Sequence, residues 1–127
     1  MNFNRLLTTI SCLFLLCGLA YGQGAPKQED YYKVIPIPVP EGIVLEAGGL
    51  EIMPDEKLAV STRRGDIYMV GNALDNEADN ETFSLWARGL HEVLGLAYPD
   101  GWLYATQRPE ITRIKDTSKD GRADLFE

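Results

Sequence analysis

The stretch Asp116-Thr117-Ser118-Lys119-Asp120-Gly121-Arg122-Ala123-Asp124-Leu125-Phe126-Glu127 puts side-chain oxygens at loop positions 1, 3, 5, 9 and 12 and glycine at position 6. Odd positions of a tightly coiled loop converge on one point, position 7 adds a backbone carbonyl, and the glycine permits the sharp turn. This is the spacing of an EF-hand-type calcium loop, with Asp116, Ser118, Asp120, Asp124 and Glu127 as side-chain ligands and Arg122 lending its carbonyl. Ser118 stands where Asp or Asn is usual. Ile111–Lys115, just before the loop, reads as a strand and not as an entering helix, so the loop is expected to join strands. The competing reading is a solvated acidic turn, for which Asp, Ser and Gly are also preferred.

His91 is the only histidine. It lies between two apolar runs, in Gly89-Leu90-His91-Glu92-Val93-Leu94, where a connection on a rigid sheet would carry it. Imidazole titrates near neutral pH and suits a proton acceptor. The bland alternative is a ring that only hydrogen-bonds a neighbouring loop. Arg63, Arg64 and Arg108 end apolar runs and are candidates to meet an anionic ligand, against the plainer role of solvated or salt-bridged cations. Trp86, Trp102, Tyr98 and Tyr104 fall inside the runs and read as packing residues. Asn80-Glu81-Thr82 fits the N-glycosylation sequon, which matters only in a eukaryotic secretory pathway.

These residues need a scaffold, and 127 residues allow one domain at most. Asn2–Arg5 is a short polar start with a positive charge, Leu6–Ala20 is mostly apolar, and Ala20-Tyr21-Gly22 offers small residues before Gln23. Those are the parts of a secretory signal peptide over residues 1–22, with a retained N-terminal anchor as the alternative, and the apolar run is too short for a committed membrane span. The expected location is secreted or periplasmic, with no membrane insertion after cleavage. Both cysteines, Cys12 and Cys17, lie in the removed segment, which leaves the mature chain without disulfide, thiol nucleophile or Cys-based metal site. Removal takes away one Arg and no acid, so the net charge passes from −7 to −8. Nucleic acid and anionic lipid both need basic surfaces and are therefore poor partners.

Residues 23–31 are small and polar and read as a linker. Pro36, Pro38 and Pro40 make the next stretch an edge strand or an extended polyproline segment. From there short strands are expected at Ile43–Glu46, Leu50–Met53, Leu58–Thr62, Asp66–Val70, Phe83–Arg88, Leu94–Tyr98, Leu103–Gln107 and Ile111–Lys115. Turn chemistry separates them at Gly48-Gly49, Pro54–Lys57, Arg63-Arg64-Gly65 and Pro99-Asp100-Gly101, and Gly71–Asn80 reads as an acidic insertion. The fold class is all-β. Pro54-Asp55 and Arg63 recur as Pro99-Asp100 and Arg108, each at an offset of 45 residues. About four short strands per unit of that length suit a β-propeller blade. Residues 32–127 then hold about two blades, whereas closed propellers have about four to eight. The chain is expected to be the N-terminal part of a longer propeller, or to need another chain for the remaining blades; a small self-assembling β-protein is the other possibility.

The run from Gly89 through His91, Gly95-Leu96 and Asp100-Gly101 to Leu103-Tyr104 resembles a stretch of the glucose/sorbosone dehydrogenase-like propellers. Leu58–Tyr68 is similar to their first-blade pattern. Gln107-Arg108-Pro109-Glu110-Ile111-Thr112-Arg113 with Asp116–Asp124 is closer still to the N-terminal propeller of secreted bacterial putative membrane-bound dehydrogenases. The resemblance spans roughly residues 40–127. It implies that His91 is the base taking a hydroxyl proton while hydride passes to pyrroloquinoline quinone (PQQ), that Arg108 contacts this quinone, and that the substrate is a small sugar or alcohol. In a non-catalytic relative of the same shape the ligand would be a glycan or a protein. Thr106-Gln107-Arg108-Pro109 departs from the glycine-containing pattern of the true sugar dehydrogenases. With most blades missing, no independent activity is expected of the chain alone.

Overall fold

The computed structural model describes residues 24–76 and 80–127. The expected signal peptide lies outside the described residues. Residues 24–34 carry one short 3-10 turn, Gln28–Asp30, closed by the Lys27 amide donating to Asp30 Oδ2 at 2.8 Å.

The unit from Ile35 to Glu127 is all-β and consists of two four-stranded antiparallel sheets. The first contains β1 (Ala47–Ile52), β2 (Leu58–Thr62), β3 (Ile67–Gly71) and β4 (Thr82–Ala87); the second contains β5 (Gly95–Ala97), β6 (Leu103–Thr106), β7 (Ile111–Lys115) and β8 (Leu125–Phe126). Each is a simple meander in which neighbours in sequence are neighbours in the sheet. The repeat maps strand for strand: Leu58 opens β2 and Leu103 opens β6, the same 45-residue offset seen in the sequence.

Side-chain alternation decides which face each sheet buries. Ala59, Ile67, Met69, Trp86 and Ala87 of the first sheet share one core with Val93, Leu103, Ala105 and Ile114. Fully burying a side chain such as Ile67, Leu103 or Ile114 is worth about 1.5–3 kcal/mol. In β7 the alternation is clean, with Thr112 and Ile114 buried and Ile111 and Arg113 exposed.

Several expectations needed correction. Ile43–Glu46 is not a strand, and Gly48-Gly49 is not a turn: both glycines lie inside β1, where the register with β2 shifts between Ala47 and Gly49. The reason is close approach. A Cβ on Gly48 would fall 2.0 Å from the Val93 carbonyl oxygen, and one on Gly49 would fall 2.8 Å from Gly95 Cα. The glycines thus let the leading strands of the two sheets come together, where Ser61 Oγ also donates to Val93 O at 3.3 Å. The proline-rich stretch forms no ladder, which leaves the extended alternative. A further short strand, β8, lies within what the sequence suggests is loop only. The Pro54–Lys57, Arg63–Gly65 and Pro99–Gly101 turns are present as expected, closed by Met53 N to Lys57 O (2.8 Å), Gly65 N to Thr62 O (3.1 Å) and Trp102 N to Pro99 O (3.1 Å).

Candidate functional site

His91 lies on the connection between β4 and β5, the link that carries the chain from one sheet to the next. That connection is tied down on both sides of the histidine. Leu90 packs against the core and Val93 is fully buried in it. The Leu90 amide donates to Gly65 O at 3.1 Å, and the Leu94 amide donates to Thr106 O at 2.8 Å. Between these anchors His91 and Glu92 turn outward, with Glu92 in a left-handed conformation (φ 40°) that a non-glycine residue adopts only when its surroundings impose it.

Gln107 holds the histidine's own backbone. Its Oε1 accepts the His91 N–H at 2.5 Å, while its Nε2 donates to Thr112 Oγ1 at 2.6 Å. The Thr112 hydroxyl in turn donates to Glu110 Oε1 at 3.0 Å. Gln107 and Thr112 are both buried, so their part of the polar chain lies under the site, while Glu110 carries it out to solvent. Sequence reasoning passed over Gln107 as a strand end. A signal was there: Leu103, Ala105 and Gln107 alternate onto one face, and a polar residue continuing a buried face needs partners.

The β2–β3 turn brings Arg63 and Arg64 to the same end of the unit, and the β6–β7 turn brings Arg108. With His91, Glu92 and Pro109 they line an open cleft of about 660 Å³. Arg63 reaches Glu92 Oε1 at 3.7 Å, and Arg108 Nε contacts the other oxygen of the same carboxylate. Arg64 lies 3.7 Å from Glu46. Glu92 therefore faces arginines and not the imidazole, which has no hydrogen-bond partner among the described residues. His91 and Arg108, singled out separately in the sequence, are brought together.

The acidic loop joins β7 to β8 and is pinned to the first sheet by the Ala123 amide, which donates to Trp86 O at 2.8 Å. Asp116 closes the loop's first half: its Oδ1 accepts the Lys119 amide (2.7 Å) and the Ser118 hydroxyl (3.2 Å), and its Oδ2 accepts the Gly121 amide (2.9 Å). Asp124 closes the second half on the amides of Thr117 (2.8 Å) and Ser118 (3.0 Å). These bonds, the Thr117 amide foremost, hold the Asp124 carboxyl below its ordinary value. Among the described residues Asp120 accepts only the Arg122 amide, at 2.9 Å. Glu127 is elsewhere. Its backbone pairs with Arg113 in both directions, and its carboxylate takes Nε (2.8 Å) and Nη2 (2.5 Å) of the same arginine, which lies 4.5 Å from the Trp102 ring centre. Among the described residues no three His, Cys, Asp or Glu side chains gather as a metal group. The loop supplies hard oxygen donors suited to calcium in kind, with Asp124 and not Glu127 closing it.

No protein-family model, curated protein or solved structure matches this chain.

Proposed function

We propose that the two sheets are adjacent blades of a β-propeller of the quinoprotein sugar or alcohol dehydrogenase-like group, contributing the proton-accepting side of a hydroxyl-oxidising site. The observation that carries this reading is the single cleft shared by His91 and Arg108, built from three connections at one end of two equivalent four-stranded meanders. An exposed imidazole on a braced connection can take a hydroxyl proton at neutral pH. Gln107 fixes the backbone that presents it, and the buried Val93 keeps the connection from drifting.

The cleft's donor set fits PQQ, a polycarboxylate, because three guanidinium groups face one opening in a chain of net charge −7. Arg108 would hold its carboxylates. When bound, the quinone supplies the hydride acceptor. Glu92, lying between Arg63 and Arg108, sets the spacing of the two guanidinium groups. Calcium in the Asp116–Asp124 loop would be held by Asp116, Ser118, Asp120, the Arg122 carbonyl and Asp124, sharing carboxylate oxygens that keep further lone pairs beyond those given to amides. Its role would be to stiffen the link between β7 and β8.

Dye-coupled oxidation of aldoses and alcohols by the complete propeller containing these sheets tests the reading: quinone-dependent turnover is the expected result. Dye reduction that is absent, or indifferent to PQQ, would contradict it. A second reading, a non-catalytic propeller binding a glycan or a protein, is favoured by one observation, the unpartnered His91 imidazole, since a general base is normally oriented by a third group. Polysaccharide binding without turnover, and unaffected by His91→Ala, would support it.

A further inference from the structure

The charge of the cleft is out of keeping with the rest of the molecule. Arg63, Arg64 and Arg108 bring three positive charges to one opening, and the two carboxylates within reach, Glu46 and Glu92, leave an excess of one cation on a chain of net charge −7. None of the three is buried in a structural ion pair, since their side chains are 61–73% exposed. Arg63 and Arg64 meet their partners only at 3.7 Å, beyond direct hydrogen-bond distance. Guanidinium groups held this loosely keep most of their N–H donors free, and those donors match a carboxylate in geometry as well as charge.

Glu92 adds a second observation. Its backbone adopts an unfavourable left-handed conformation, and its carboxylate lies between Arg63 of one sheet and Arg108 of the other. The chain has thus placed an internal carboxylate where two guanidinium groups converge, in a cleft that is otherwise open. A neutral ligand would gain only ordinary hydrogen bonds from this arrangement, whereas an acidic one would find charge-assisted donors already gathered.

We propose that the ligand of this cleft is a carboxylate-bearing polyol, a sugar acid of the uronate or aldonate class, with its carboxylate on Arg63 and Arg64 and a hydroxyl in the space shared with His91. Glu92 gathers the arginines and competes with the ligand's carboxylate for Arg63. That the ligand is a polyol and is oxidised rests on the function proposed above, but that it is an acid does not.

Calorimetric titration of the purified chain with galacturonate, its methyl ester and galactose, without quinone and at low ionic strength, separates the two. The expected result is binding of galacturonate at least about tenfold tighter than of the ester or galactose, since the charge-assisted bonds are lost with the carboxylate. Arg64→Gln should weaken the acid about fivefold and leave the neutral sugar unchanged, Glu92→Gln should tighten the acid severalfold, and raising the salt should erode the preference. Circular dichroism of both variants guards against misfolding. Equal affinity for acid and ester, or no effect of Arg64→Gln in a folded protein, overturns the inference. Either outcome leaves the hydroxyl-oxidation reading to its own dye-coupled assay.

Discussion

Replacing Gly65 by alanine puts a methyl group where the His91 connection docks. Gly65 has φ +83°, and a Cβ there would fall 1.8 Å from the Leu90 carbonyl oxygen and 2.6 Å from its carbon. An alanine in this backbone region costs about 1–2 kcal/mol by itself. The obstructing atoms belong to backbone, so the connection must retreat, and with it goes the Leu90 amide bond to Gly65 O, worth about 1 kcal/mol. The sum is about 2–4 kcal/mol once residual crowding is included. Gly101 is the control: its φ is +77°, but nothing lies within 4 Å of its Cβ position, so Gly101→Ala carries the conformational cost alone. Urea unfolding followed by the fluorescence of Trp86 and Trp102 measures both losses, and the difference, about 1–2 kcal/mol, is the contribution of the docked connection. The His91 imidazole resonances should move in Gly65→Ala and stay in Gly101→Ala. Equal destabilisation by the two substitutions, with unmoved histidine signals, would refute the claim that the β2–β3 turn positions His91.

Three further outcomes follow from the same geometry. Gln107→Leu removes the acceptor of the His91 N–H and one of the two partners of the Thr112 hydroxyl, leaving it Glu110 alone, so it should cost about 1–3 kcal/mol and speed amide exchange at His91; protection equal to the parent would show that Gln107 is not the brace. The carboxyls of Asp55, through Lys57, and Asp124, through the loop amides, have folded values below the ordinary 3.8. A depressed carboxyl contributes stability that is present above its unfolded value and lost as pH falls through the folded one, so stability should decline below pH 3.8 and Asp124→Asn should make that decline shallower. An unchanged acid limb would argue that the loop bonds do not persist in solution. Calcium should raise the unfolding midpoint of the parent and of Glu127→Gln but not of Asp124→Ala; dependence on Glu127 would restore the twelve-position ligand set.

The all-β class and most strand positions were legible because period-2 alternation and Pro-Asp, Asp-Gly and Arg-Gly turns are local signals, as in Leu58–Thr62 and Leu103–Thr106. What escaped was set by contacts distant in sequence. Gly48-Gly49 looks like a turn by composition and is strand only because Val93 and Gly95 press against it. Leu125–Phe126 is too short to register as a strand until β7 provides its ladder. The site was half legible. His91 and the arginines stood out by residue type, but the place of Glu92 between Arg63 and Arg108 depends on turns distant in sequence. In the acidic loop, spacing singled out Asp116 and Asp124, which close its turns by hydrogen bonds, while the ladder register between β7 and β8 carries Glu127 across to Arg113.

In the function proposed above, the braced His91 would accept the substrate's hydroxyl proton. The most direct test is the single-turnover rate of quinone reduction in the complete propeller, wild type beside His91→Asn, at saturating substrate across neutral pH. A loss of about 10²–10⁴-fold, with the quinone still bound, is the expected result. An unaltered rate in the His91→Asn protein would contradict it.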